Sequence, residues 1–206
     1  MSIPATPTAA AAAVLDDASL DVMFREARSA NSFSAEPVDA ETLQAIYDLA
    51  KFGPTAMNTS PLRIAFVTTA EGKARLLPHI FEHNQTKATQ APVVAILAVD
   101  TEFHEQIPTL FPHAPERKAL FEDPEFRIPS ANFNAGLQMG YFIMAVRALG
   151  LAAGPVGGFD TAGVDSEFFA DRPWQSKLLV NIGKPGENPW FDRLPRLDYA
   201  TATLTF

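Results

Sequence analysis

The sequence contains no cysteine. That removes thiol nucleophiles, disulfides, thiolate-held zinc and cysteine-ligated iron–sulfur clusters. Basic residues are the minority, 16 Lys and Arg against 24 Asp and Glu, and the net charge of −8 argues against a nucleic-acid partner. Phosphate backbones require a basic face, although a local basic pocket remains open to this chain. No apolar run is long enough to span a bilayer, so no membrane contact and a cytoplasmic location are expected. No Gly-x-Gly-x-x-Gly turn, Walker-type Gly-Lys-Ser/Thr or Gly-x-Ser-x-Gly elbow occurs. Gly154-Pro155-Val156-Gly157-Gly158 is Gly-rich, but Pro155 and the lack of a following periodic helix make it a poor dinucleotide turn. Histidines are few. His79 and His83 stand four apart and read as a solvated helix face, and Glu102, His104 and Glu105 as a polar loop beside a strand.

What is present suits one globular core: 206 residues, 47% hydrophobic and 19% charged. Residues 1–15, rich in Ala and Thr with no basic start, are expected to form a flexible arm ahead of a single domain over 16–206. A first helix is predicted over 16–30, with Leu20, Met23, Phe24 and Ala27 as its stripe. A second runs from Asp39, its N-cap, to Phe52, with Leu43, Ile46, Tyr47 and Ala50 on one face. Gly53 and Pro54 end it, and Thr55 to Ser60 then offers hydroxyls and a carboxamide from a loop braced by prolines. Taken alone, that loop reads as a surface turn. Strands are predicted at Ile64–Thr68, Val93–Val99, Leu151–Gly154 and Leu178–Ile182, and Glu71–Leu77 starts a helix that Pro78 interrupts.

Five prolines between 101 and 130 predict short helical turns in an excursion outside the core, of the kind that forms lids. The helix predicted over 131–149 has almost no polar face in its second half and must be buried on every side, in a core or between subunits. Gly136 and Gly140, four apart, would let another backbone approach. The chain thus shows no nucleophile, metal set or acid–base pair, which is how an enzyme reads when a cofactor does its chemistry.

The segments Ala27-Arg28-Ser29-Ala30-Asn31, Lys51-Phe52-Gly53-Pro54-Thr55-Ala56-Met57-Asn58 and Asn84-Gln85-Thr86-Lys87 resemble the flavin-dependent nitroreductases. Ala91-Pro92-Val93, Arg147 to Leu151, Gly154 to Asp160, Asn181-Ile182-Gly183 and Arg193-Leu194-Pro195-Arg196 extend the resemblance, in family order, over roughly residues 16 to 200. It is strongest to the branch holding the malonic semialdehyde reductase of pyrimidine utilisation. The resemblance implies an α+β, three-layer sandwich, a mixed central sheet flanked by helices, in an intertwined homodimer with FMN at the subunit interface. Strand–helix alternation alone would instead suggest a parallel sheet.

The resemblance also implies a set of flavin contacts. Arg28 and Ser29 would meet the phosphate, with Arg193 and Arg196 as a second basic arm. Asn84 and Lys87 would face the pyrimidine edge, where reduction leaves negative charge. Gly157 and Gly158, after Pro155, would present N–H groups to N5 and O4. Thr55, Ala56 and Asn58 would come from the partner subunit. Asn31 stands where many members carry a second basic residue, Gly157 where many carry Glu, and Ser60-Pro61-Leu62 where others have Gln-Pro-Trp. The implied activity is hydride transfer from NADH or NADPH through FMN by a ping-pong cycle, reducing malonic semialdehyde to 3-hydroxypropionate. The alternatives are a broad nitroaromatic or quinone reductase, a non-catalytic flavin-binding protein, or an interaction domain using Phe103, Phe111, Phe121 and Phe126 as its surface.

Overall fold

Strand β2 (Val93–Asp100) sets the architecture: all eight of its residues are buried. Val93, Ala95, Leu97 and Val99 enter one apolar cluster, while Val94, Ile96 and Ala98 enter another. A strand apolar on both faces of its period-two pattern needs cover on both sides. It lies between β1 (Leu62–Val67) and β4 (Trp174–Gly183), and β3 (Ala152–Val156) forms the far edge, in the order β1-β2-β4-β3. The computed structural model describes residues 14–206. Most of the expected N-terminal arm therefore lies outside the described residues.

All three strand pairings are antiparallel, so the mixed sheet implied by the resemblance is not what one chain builds among its described residues. The chain leaves β1 at Val67 and re-enters β2 beside it, with Val67 opposite Val94, which fixes the direction. Helices α2 (Ala40–Ala50) and α6 (Pro124–Ala148) cover one face. Helices α3 (Ala70–Leu76), α4 (Glu82–Gln90) and α7 (Thr161–Phe168) cover the other, completing a three-layer α+β sandwich. Short helices α1 (Asp17–Leu20) and α8 (Tyr199–Ala202) lie outside these layers, whereas α5 (Ile107–Leu110) buries Ile107 in the cluster under α6.

Helix α2 follows its sequence closely. Asp39 accepts a hydrogen bond from the Thr42 N–H at 2.7 Å, and Leu43, Ile46 and Ala50 are buried, but Tyr47 stands 47% exposed. The first helix is shorter than its apolar stripe predicts: α1 and a π-helical turn, Asp21–Arg25, end it. Beyond it the backbone finds distant partners. Ala30 N–H donates to Ala153 of β3, Asn31 N–H to Pro189, and the Arg193 side chain takes the carbonyls of Arg25 and Ala27.

The excursion does consist of short turns, but it is not outside the core. Phe103, Ile107 and Phe121 join the cluster under α6, with the Phe103 and Phe121 rings 5.1 Å apart edge to face. Prolines limit helix length without preventing apolar side chains from burying, so Phe103 and Phe121 are unavailable as a partner surface. Helix α6 begins at Pro124, seven residues before the predicted start, because Pro is tolerated in a first turn. Nor is it buried all round. Phe133, Leu137 and Tyr141 are 69%, 41% and 46% exposed, and a Cβ on Gly136 or Gly140 would meet nothing within 4 Å.

Candidate functional site

The loop from Thr55 to Ser60 has an unusual backbone. Met57, Asn58 and Ser60 hold φ values of 53°, 52° and 42°, in the left-handed region that ordinary residues avoid. Such residues cost of order 1–3 kcal/mol each and persist only where surrounding contacts fix them. Helix α6 provides those contacts from its buried side. The Asn134 side-chain oxygen accepts the Ala56 N–H at 2.7 Å, and that of Gln138 accepts the Leu62 N–H at 3.0 Å. Thr55 Oγ1 accepts the Ser60 N–H at 3.1 Å, and the Asn58 amide donates to the Leu110 carbonyl at 2.8 Å. Gly53 allows the close passage of α6: a Cβ there would sit 3.1 Å from the Tyr141 ring.

A second group forms at the end of β3. Asn84 is 6% exposed, and its Nδ2 donates to the Gly158 carbonyl at 3.3 Å and lies 3.1 Å from His83 Nε2. With Nδ2 so engaged, Oδ1 makes no hydrogen bond among the described residues and remains an acceptor. A Cβ on Gly158 would stand 2.7 Å from that Nδ2 and would push the Asn84 amide aside; one on Gly157 would meet nothing within 4 Å. Lys87, one turn along α4, is half-buried with no hydrogen bond or ion pair among the described residues, and burial lowers its pKa from the ordinary lysine value. Asn84 and Lys87 are thus not the solvated face that α4's polar sequence suggests. His79 and His83 do not share a helix: His79 lies in the turn Leu77–His79, and Phe81 caps α4.

The third group is basic. Arg28 and Arg147 line a cavity of about 230 Å³ with Ala152 and Ala153 of β3. Each has a buried Nε without a partner among the described residues. Arg193 lies close by, its charge adding to burial in lowering the Arg147 pKa. Asn31 is beside them through its bond to the Ser29 carbonyl, at 3.3 Å. Arg196 is exposed and bonds only the carbonyls of Leu194 and Pro195, so it stays outside the group.

Arg28, Asn31 and Arg193 therefore gather near the start of β3, and Asn84 with Gly158 at its end. Within one chain no hydrogen bond joins Thr55, Ala56 or Asn58 to either. The residues present fit FMN: clustered arginines suit a phosphate, a free carboxamide oxygen suits the ring N3–H, and a half-buried cation suits the N1–C2 carbonyl edge. A groove of about 890 Å³ lies between α2 and β1, with Asn58, Ser60 and Gln138 in its lining. Glu102, His104 and Glu105 come within 4.8 Å of one another, with His104 buried rather than in an exposed loop. Each carboxylate already has a cation: Glu102 bonds Arg127 at 2.9 Å and Glu105 bonds Lys118 at 2.6 Å.

Asn134 and Gln138 escape the sequence reading, and Arg147 enters it only within a matching segment, with no role assigned. All three lie in a helix taken as apolar, and the signal was there: a polar residue on a buried stripe must have a partner.

Residues 24–184 match the nitroreductase family model. A provisionally named NADH dehydrogenase/NAD(P)H nitroreductase from Streptomyces griseus is 54% identical over 93% of this chain and 98% of its own length. Among solved structures, the FMN complex of a provisionally named nitroreductase from Exiguobacterium sibiricum superposes with a TM-score of 0.82 at 20% identity, over 91% of this chain and 96% of that one. A provisionally named NAD(P)H:FMN oxidoreductase from Staphylococcus epidermidis gives 0.79 at 19% identity, over 94% and 98%. No helix among the described residues is long and apolar enough to cross a membrane. The chain belongs to the nitroreductase family.

Proposed function

We propose that this chain, an FMN-dependent NAD(P)H oxidoreductase, works as a homodimer that passes hydride from a nicotinamide through FMN to a small carbonyl compound. FMN supplies the hydride chemistry; the chain binds, orients and polarises. The observation that carries the reading is the contact of Asn84 with Gly158 at the end of β3, with the half-buried Lys87 one turn further along α4. Asn84 Oδ1 orients the pyrimidine edge, the Lys87 ammonium stabilises charge there, and Gly158 leaves room for close approach.

The homodimer is supported by the exposed stripe of α6 and by the C-terminal segment, where Trp190, Phe191, Leu194, Leu197 and Tyr199 are all exposed in one chain. In the dimer, Thr55, Ala56 and Asn58 line the partner's flavin, which accounts for a strained loop with no ligand group of its own chain beside it. We read residues 16–206 as one domain and place the protein in the cytoplasm, in keeping with the absence of cysteine.

The motif resemblance favours malonic semialdehyde, reduced to 3-hydroxypropionate, as the acceptor. A nitroaromatic or quinone acceptor is the second reading, favoured by the name of the 54% identical relative. Anaerobic mixing with NADH or NADPH is expected to bleach the bound flavin. Reoxidation by malonic semialdehyde, faster than by nitroaromatic or quinone, supports the first acceptor, and the reverse order replaces it with the second. A flavin that neither nicotinamide bleaches leaves a non-catalytic carrier.

A further inference from the structure

We infer that Arg147, at the C-terminal end of α6, is a phosphate-binding residue for FMN and supplies the second basic contact that Asn31 cannot. The inference rests on the FMN reading above. Its basis is an excess of positive charge around the 230 Å³ cavity at the start of β3.

Arg28 and Arg147 both line that cavity. What Arg147 does bond is poor: the Met23 carbonyl at 3.4 Å and the Met144 sulfur at 3.8 Å. Among the described residues, the only carboxylate lining the cavity is Glu26, 3.8 Å from Arg28 and 71% exposed. Arg193 adds a third positive charge close to Arg147. Three arginines beside one solvated carboxylate suit an anion with several oxygens, and a guanidinium edge meets phosphate through two N–H groups at once.

Size and place agree. The cavity is below the roughly 300–1,000 Å³ of sites that enclose a whole small ligand, so it suits a phosphate and not a flavin ring. From Ala153, on its wall, to Gly157 is four residues of chain, about 13 Å if extended. That is comparable with the reach of a ribityl phosphate tail from the ring's pyrimidine edge. Strand β3 is an edge strand, so a ligand along it can touch α6 on one face of the sheet and α4 on the other.

The test compares FMN with riboflavin, which has the same ring and ribityl chain but no phosphate, by fluorescence titration of the apoprotein. Wild type is expected to bind FMN at least tenfold more tightly than riboflavin. Arg147→Met, which keeps the apolar stem, should lose most of that difference and leave riboflavin affinity unchanged; Arg147→Lys should fall between. An Arg147→Met protein that keeps the full FMN preference overturns the inference, and so does one that loses FMN and riboflavin in equal proportion. A wild type that binds neither flavin overturns the FMN reading itself, and this inference with it. If Arg147→Met does not fold, as judged by circular dichroism, Arg147→Lys carries the test, and an unchanged preference in it counts against the assignment.

Discussion

The two loops expected to meet the flavin are built in opposite ways. Thr55 to Ser60 has no glycine and forces Met57, Asn58 and Ser60 into the left-handed region, held by Asn134 and Gln138 of α6. The turn after β3 has two glycines, neither at positive φ, so neither is there for a left-handed backbone. Even these two differ: Gly158 is packed against Asn84, whereas Gly157 faces open space. Shape is bought with strain in the first loop and with absent side chains in the second. The first should therefore be sensitive to changes in its supports, and the second to changes in itself.

The largest effect should come from removing a support. Asn134→Leu leaves the Ala56 N–H without its acceptor and releases the loop, at a cost of about 1–3 kcal/mol in denaturant unfolding. Loop amides should then exchange faster with solvent than those of β2; equal protection would show that the loop holds its shape alone. Next, Gly158→Ala puts a methyl group 2.7 Å from Asn84 Nδ2 and must displace that amide. FMN affinity should fall at least tenfold by fluorescence titration, with stability lowered by about 1–3 kcal/mol. Unchanged affinity would remove Asn84 from the flavin's surroundings.

Lys87→Met should act more on electrons than on binding. Each 1.4 kcal/mol of lost preference for reduced flavin lowers the two-electron potential by about 30 mV, and spectroelectrochemical titration reads it. The apoprotein should not be weakened. Burial lowers the Lys87 pKa, so its folded state resists protonation, and the resulting stability is present above the unfolded lysine pKa and lost as pH falls through the folded one. At neutral pH the unpaired charge thus counts against the apoprotein, and Met should match or exceed wild type in unfolding experiments. The smallest structural effect belongs to Gly157→Glu, expected within about 0.5 kcal/mol of wild type because its Cβ meets nothing. Destabilisation as large as that of Gly158→Ala would erase the contrast between the two glycines.

Period-two and period-3.6 patterns made the four strands and α2 legible, with strand ends misplaced by two residues or more where β4 starts at Trp174 and not Leu178. What failed depends on partners distant in the chain. The first helix stops because Ala30 bonds Ala153 and Asn31 bonds Pro189, 123 and 158 residues away. Strand direction is set by where β2 re-enters beside Val67, which no local pattern encodes. The excursion was misread because proline reports backbone form and says nothing of burial, and Phe103 is wholly buried despite five nearby prolines. Of the expected contacts, Asn84 and Gly158 are adjacent and Arg28 and Arg193 are near neighbours, whereas Arg196 stands apart. The resemblance carried those positions; composition alone would have left Asn84 and Lys87 on a solvated helix.

Strand β2 contributes alternate residues to both apolar clusters, so neither layer of helices can detach without exposing it. The two halves of the sandwich are then expected to lose structure in a single cooperative step. Amide protons at Ala95, Ile96 and Leu97 should exchange only through global opening, and their protection would measure the free energy of the whole fold. Motions that admit a nicotinamide and release a product must be confined to the periphery, in the loops and the C-terminal segment, at energies well below that ceiling.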